Sequence, residues 1–166
     1  MSEVVDIQIL QTVSIGIACA GVLAAAIYYL LQIRHQTRLR QTDMVMRLYA
    51  TFGSTEFQKA YQKMMGVEFL DYADFVNRYA ASAEVLAASY SVGIFFEGIG
   101  VLASRKLIKM DLVDDLFTTP ILDTWEKMKT LVEGRRERLR RPQTLEWFEY
   151  IYNELQKREQ KLHPAT

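Results

Sequence analysis

The longest apolar segment of the chain lies near its N-terminus, between Val13 and Ile33. It contains no Asp, Glu, Lys or Arg, and its polar side chains belong to one serine, one cysteine, two tyrosines and Gln32. At ~1.5 Å rise per residue the segment forms a helix roughly 31 Å long, about the thickness of a bilayer's hydrocarbon core. The pattern therefore predicts a transmembrane helix over residues 13–33.

The charges beside this segment predict its orientation. Only Glu3 and Asp6 precede it, whereas four basic residues follow it closely: Arg34, Arg38, Arg40 and Arg47. Lys and Arg near a span tend to stay in the cytoplasm. We therefore expect a single-pass cell-membrane protein with a short extracytoplasmic N-terminus, residues 1–12, and a cytoplasmic domain, residues 34–166. A cleaved signal peptide is the alternative, but this chain lacks the basic n-region that such a peptide requires.

Beyond the span, apolar positions recur with the period of a helix, and no strand pattern stands out. Val45, Leu48, Tyr49 and Phe52 follow one another at i, i+3, i+4 and i+7, and neither Gly nor Pro occurs between Val22 and Phe52. This spacing is typical of an amphipathic helix. The predicted fold is all-α: the transmembrane helix continues into a cytoplasmic helical bundle.

Turn and cap residues predict where the next helices begin and end. Gly53 suits the left-handed position after a helix, and the T-x-x-Q pattern of Thr55 and Gln58 suits a new helix start. Gly66 can end this helix, and Asp71 can cap the following one.

The most apolar stretch after the span, residues 85–108, carries Glu97 near its middle. A carboxylate at the centre of a membrane helix costs ~2.5–3.5 kcal/mol on insertion scales. We therefore predict a buried central helix, with a second span as the alternative, and expect Gly93 and Gly100 to let a neighbouring helix approach closely. Five residues mark its predicted buried face: Val85, Ser89, Val92, Phe96 and Gly100.

Three more helices are predicted in the C-terminal third. Asp111 caps a short helix through Phe117, and Thr119 followed by Pro120 starts the next one. A basic turn over residues 135–142 ends that helix, and Thr144 opens the last. The helix that starts at Pro120 has the predicted inward face Ile121, Trp125, Met128 and Val132. The last helix has the predicted inward face Phe148, Ile151, Tyr152 and Leu155.

Composition narrows the classes of function. After the span, twenty Lys and Arg oppose eighteen Asp and Glu, and this balance argues against a nucleic-acid partner, which usually meets a marked basic excess. Cys19 is the single cysteine, and His35 and His163 are the only histidines. The Glu-x-x-His pattern of carboxylate metal centres is absent. We therefore predict no catalytic, cofactor-binding or metal-binding residues and do not expect an enzyme.

Glu97 is the sharpest candidate for a special role, because a carboxylate in a buried helix is costly when unpaired. One interpretation is a structural acid paired with Arg47, Arg78 or Arg135. The other is a ligand-binding or proton-handling acid. Buried charges are usually paired, and this favours the structural interpretation.

Two further sets of residues are candidates for contacts with membrane and partner. Arg34, Arg38 and Arg40 are candidate contacts to anionic lipid headgroups, and the basic turn 135–141 is a second, weaker one. The helix-packing candidate is a small-residue stripe at four-residue spacing: Gly16, Ala20 and Ala24. Such a stripe lets two membrane helices pack closely.

Three segments of the chain carry a resemblance to a known family: FFEGIGVLASRKLIKMDLVDDLF, WEKMKTLVEGRRERLRRP and WFEYIYNEL. In these segments the chain resembles an uncharacterised family of short prokaryotic proteins, which is catalogued as a domain of unknown function. Its members have one N-terminal transmembrane helix and a helical cytoplasmic domain. The resemblance implies an all-helical fold and a membrane anchor. It implies no activity and no site residues.

These observations lead to two hypotheses about function. The first is a non-enzymatic interaction protein, an accessory, scaffold or assembly subunit that meets lipid and a protein partner, or a second copy, at the cytoplasmic membrane face. The alternative is a membrane-tethered sensor or regulator that binds a small ligand or lipid in its helical domain. A pocket that reaches Glu97 would favour the alternative.

Overall fold

Six helices make up the part of the chain that the structure describes, and this part contains no strand. The computed structural model describes residues 2–162, and the side chains of residues 13–161. The helices are α1 (Ser2–Phe52), α2 (Thr55–Gly66), α3 (Tyr72–Tyr79), α4 (Ala83–Ser104), α5 (Met110–Leu139) and α6 (Glu146–Leu162). The predicted fold class is confirmed: a long apolar N-terminal helix continues into a helical domain. The predicted extracytoplasmic segment, residues 1–12, lies outside the described side chains, and His163 lies outside the described residues.

The chain separates into two compact units, Met1–Arg40 and Gln41–Thr166. In the first unit every described side chain, from Val13 to Arg40, is exposed. Exposure of large apolar side chains is high, with Ile17 at 69% and Val22 at 70%. By length and composition this helix could cross a membrane.

The second unit contains the hydrophobic core, in which α4 is the central helix. Contacts join α4 to α2, α3, α5 and α6. The predicted buried face of α4 is confirmed, since all five of its residues are buried. By length and composition α4 could also cross a membrane, but Val92, Phe96 and Ile99 are fully buried in the core of the helical domain.

The ends of the short helices agree with the predictions in part. Asp71 caps α3 by accepting the Asp74 N–H at 2.9 Å, and α2 ends at Gly66, as predicted. The cap of α2 is Ser54 rather than Thr55, because the Ser54 hydroxyl accepts the Phe57 N–H at 3.2 Å. The left-handed conformation predicted for Gly53 is wrong, since no glycine among the described residues has a positive φ.

The break predicted at Thr119 and Pro120 is wrong, because α5 runs through Pro120 without ending. A proline inside a helix removes a hydrogen bond and costs ~3 kcal/mol. Here the buried face of α5 spans the proline, with Phe117 before it and Ile121 and Trp125 after it. The burial of this face compensates for the lost hydrogen bond. The predicted cap role of Asp111 is also wrong, because Lys109 occupies the N-cap position.

The last helix begins at Glu146, two residues after the predicted start at Thr144. Thr144 caps no helix; its hydroxyl donates to the Arg141 carbonyl oxygen at 3.0 Å. Leu145, just before α6, has a φ of 54°. This left-handed conformation is unusual for a residue other than Gly, Asn or Asp. Leucine has no polar side-chain atom, so Leu145 cannot cap the first turn of α6.

Candidate functional site

The cap of α6 is Glu97, which lies in the middle of α4. The Phe148 N–H donates to Glu97 Oε2 at 2.7 Å, and the Trp147 N–H also favours the charged form of the carboxylate. The first N–H groups of a helix have no partner within the helix, and the positive end of the helix dipole favours a negative group there. Glu97, 51 positions before Phe148 in the sequence, therefore accepts an N–H of the first turn of α6, which is the role that an N-cap residue next to the helix usually has.

The environment of Glu97 acts on its protonation in two directions. Burial raises the pKa of Glu97, because taking a carboxylate out of water disfavours the charged form. The N–H groups of Phe148 and Trp147 lower this pKa, as does the positive charge of Arg136, whereas the negative charge of Glu146 raises it. The net shift is upward, so the folded domain binds a proton at Glu97 more tightly than a free glutamate does.

Gly100, one turn after Glu97, allows α6 to lie directly against α4. A Cβ added at Gly100 would lie 2.1 Å from the Trp147 carbonyl oxygen, a backbone atom. The Phe148 ring fills the space beside this contact, stacked on Phe96 with centroids 5.0 Å apart and edge-on to Trp125 at 5.0 Å. The predicted close approach at Gly100 is thus confirmed, and the approaching element is the first turn of α6.

Arg136 of α5 holds the same junction from the other side. Its Nε donates to the Thr144 carbonyl oxygen at 2.9 Å, and its Nη1 donates to Glu149 Oε2 at 2.7 Å. The guanidinium carbon lies 6.0 Å from the centre of the Trp125 ring. Arg136 Nη2 is buried and has no hydrogen-bond partner among the described residues. We call Glu97, Gly100, Arg136 and the first turn of α6 the α4–α6 junction.

The arginine partners predicted for Glu97 are wrong. Arg47 pairs with Asp43 at 2.9 Å, and Arg78 pairs with Asp74 at 2.7 Å. In both cases the acid lies four residues earlier on the same helix, where a pair forms at little cost in chain entropy.

Arg135, the third predicted partner, lies over the Tyr90 ring instead. Its guanidinium carbon is 4.5 Å from the ring centre, and its Nη2 donates to the Tyr90 hydroxyl. This pair lines two adjoining cavities. Cavity 1, of about 180 Å³, lies between α4, α5 and residues 144–145. Cavity 2, of about 260 Å³, lies between α3, α4 and α5. Glu97 lines neither of them.

The candidate lipid contacts that follow the span and the helix-packing stripe lie in the first unit. Arg34, Arg38 and Arg40 are exposed on α1, as are the small residues Gly16 and Ala20. Ala24, the last member of the stripe, is exposed as well. The described residues contain no group of His, Cys, Asp and Glu side chains that could hold a metal ion.

The chain matches a protein family over residues 15–155, and that family is described as Domain of unknown function (DUF4760). The chain belongs to this family. The search of curated proteins and the search of solved structures each gave no match. In this DUF4760 domain, the strings that carry the resemblance meet in space, because Glu97 and Gly100 contact the first turn of α6 and Arg136 bonds to Glu149.

Two features of the DUF4760 domain were missed by reasoning from the sequence. Arg136 was seen only as part of a basic turn, and its specific hydrogen bonds have no local signal. Leu145 gave no signal either, since leucine is not a residue that favours a left-handed backbone. Thr144, two residues before α6, supplied a misleading local cap candidate, so no clue in the sequence indicated that a distant acid caps this helix.

Proposed function

We propose that this protein is a non-enzymatic interaction protein, a scaffold or assembly subunit anchored in the cell membrane by residues 13–33. The observation that carries the proposal is the uniform exposure of the apolar side chains in this segment, such as Val22 at 70% and Leu23 at 65%. An apolar surface of this extent is unfavourable in water. A bilayer provides the apolar surroundings that it requires.

The proposed orientation has the N-terminus outside and the helical domain in the cytoplasm. Arg34, Arg38 and Arg40 follow the span and are exposed, where each basic side chain near an anionic surface contributes ~1 kcal/mol. The lack of any Lys or Arg before the span supports the same orientation.

The environment of Glu97 supports a structural role for this residue over a catalytic one. A general acid or base needs access to a substrate proton. The Glu97 carboxylate accepts the backbone N–H of Phe148 in α6 and lines neither cavity 1 nor cavity 2. The arrangement supports a structural role for Glu97.

The exposed apolar side chains of the helical domain support an interaction surface. Ile94 is 62% exposed and Tyr90, one turn earlier on α4, is 49% exposed. Exposed aromatic and aliphatic side chains that lie together mark contact sites more often than isolated ones do. We therefore take the Tyr90–Ile94 surface of α4 as the place where a protein partner or a second copy binds.

In-cell photocrosslinking of the full chain tests this proposal. A photoreactive amino acid replaces Ile94, and a control chain carries it at Asp123, which is exposed on α5. We expect the Ile94 position to give one discrete adduct, with a protein or with a second copy, in the membrane fraction. Loss of that adduct on Tyr90→Glu would support a specific contact. The absence of an adduct at Ile94, or the same adduct at Asp123, would overturn the proposal.

A further inference from the structure

Cavities 1 and 2 adjoin at one pair of residues, Tyr90 and Arg135. Both cavities are lined by this pair together with Ser89 and Leu131. On the rim of cavity 1, Tyr90 and Ile94 are exposed, so a molecule from solvent can reach it. The two cavities therefore share a wall that contains the Arg135 guanidinium.

The charge of Arg135 is available to a ligand. Arg47, Arg78, Arg136 and Arg158 each pair with a carboxylate, whereas none of the described salt bridges includes Arg135. Its described contacts are with the Tyr90 ring and hydroxyl. A phenol hydroxyl is a weaker partner for a guanidinium than a carboxylate, which accepts two parallel N–H bonds.

The size and lining of cavity 1 define the rest of the ligand. At about 180 Å³ it exceeds the ~150 Å³ of an engineered apolar cavity that takes up benzene. Its walls are mainly aliphatic, with Met128, Leu131 and Val132 from α5. Gly93 keeps one wall open, because a Cβ there would lie 3.1 Å from Leu145 Cδ1.

We propose that cavities 1 and 2 form a binding site for a small aliphatic monocarboxylate. The carboxylate replaces the Tyr90 hydroxyl as the partner of Arg135, and the apolar tail lies in cavity 1 against Met128. This site does not include Glu97. It shares Tyr90 and Ile94 with the proposed partner surface, but its test on the isolated chain requires no partner. Binding is reversible and involves no covalent step.

Methyl NMR of the full chain in nonionic detergent tests the site directly, with octanoate as the probe. Methionine labelled with ¹³C at its methyl group reports on Met128, which lines cavity 1. Met64 is fully buried in α2, lines neither cavity and serves as the internal control. We expect a saturable shift of the Met128 signal with octanoate and no comparable shift of Met64. The neutral analogue 1-octanol should bind at least ten-fold more weakly, since it offers Arg135 no charge.

Two pairs of variants separate binding from folding. Arg135→Gln should lower the affinity for octanoate about ten-fold or more. Arg138→Gln, one turn later on α5, should leave this affinity unchanged. Ser89 lines both cavities, so the larger side chain of Ser89→Leu should occupy space in them and abolish the shift of the Met128 signal with octanoate. Ser91→Leu is the control and should retain this shift. The methionine methyl spectrum of each variant without octanoate should match that of the wild type, which would show that the variant is folded. The absence of a saturable Met128 shift in the wild type, or equal affinity in Arg135→Gln, would overturn the proposal.

Discussion

Glu97 of α4 accepts the backbone N–H of Phe148 at the start of α6, with 2.7 Å between donor nitrogen and Oε2. This contact joins two helices by a bond from a side chain to a helix end. The acid that looks out of place in an apolar stretch is therefore the N-cap of another helix. Its role explains why α6 can begin after Leu145, a residue that has no capping side chain.

Replacing Glu97 tests the cap. Glu97→Leu leaves the N–H group of Phe148 without its acceptor, and an unsatisfied buried donor costs ~1–3 kcal/mol. We expect the free energy of unfolding to fall by about this amount, measured in urea by the fluorescence of Trp125 and Trp147, the two tryptophans of the chain. Glu97→Gln retains an acceptor oxygen and should lose less. Equal stability of Glu97→Leu and wild type would contradict the capping role.

The raised pKa of Glu97 predicts the direction of a pH effect. Since the pKa in the folded domain is raised above the ordinary value of 4.5, the folded state binds the proton more tightly than the unfolded chain. The associated stabilisation is complete below pH 4.5 and is lost as pH rises through the higher folded-state pKa. The free energy of unfolding of wild type, minus that of Glu97→Gln, should therefore decrease with rising pH across this window. An increase would show that the carboxylate is stabilised by its N–H donors more than it is destabilised by burial.

Gly100 and Gly98 form a matched pair for testing the close approach of α6. Gly100→Ala places a Cβ 2.1 Å from the Trp147 carbonyl oxygen, and this clash should destabilise the domain by at least ~1–3 kcal/mol, the usual cost of overpacking. At Gly98 an added Cβ meets nothing within 4 Å. Gly98→Ala should therefore stabilise the helix by ~0.5–1 kcal/mol. Thermal unfolding of the two variants compares them directly, and a tolerated Gly100→Ala would refute the tight junction.

The helical domain should fold without the first unit. All buried residues of the core lie at or beyond Val45, and Gln41–Thr166 is a compact unit. Deletion of residues 1–40 should give a soluble fragment that keeps helical circular dichroism and a cooperative unfolding transition. A fragment that aggregates or lacks helix would show that α1 before Gln41 contributes to the stability of the domain.

The sequence predicted those features that arise from local pattern. The period of apolar residues placed Val92 and Phe96 in the core, and Asp71 was identified as a cap because its partner is only three residues away. The break at Pro120 was predicted wrongly. The cost of a proline inside a helix can be seen in the sequence around it, but the burial of Phe117, Ile121 and Trp125 that offsets this cost depends on contacts with other helices. The partner of Glu97 could not be predicted for a similar reason. It is a backbone group of a distant segment, and backbone groups carry no sequence signal.

The central claim is that residues 13–33 cross the cell membrane and hold the helical domain in the cytoplasm. Labelling with a membrane-impermeant maleimide tests it most directly, in a chain where Cys19→Ala removes the native cysteine and Ser91→Cys adds one at an exposed position of the helical domain. We predict that the chain remains in the membrane fraction after alkaline extraction and that this cysteine reacts only after the cells are lysed. Labelling in intact cells, or release of the chain into the soluble fraction, would contradict the claim.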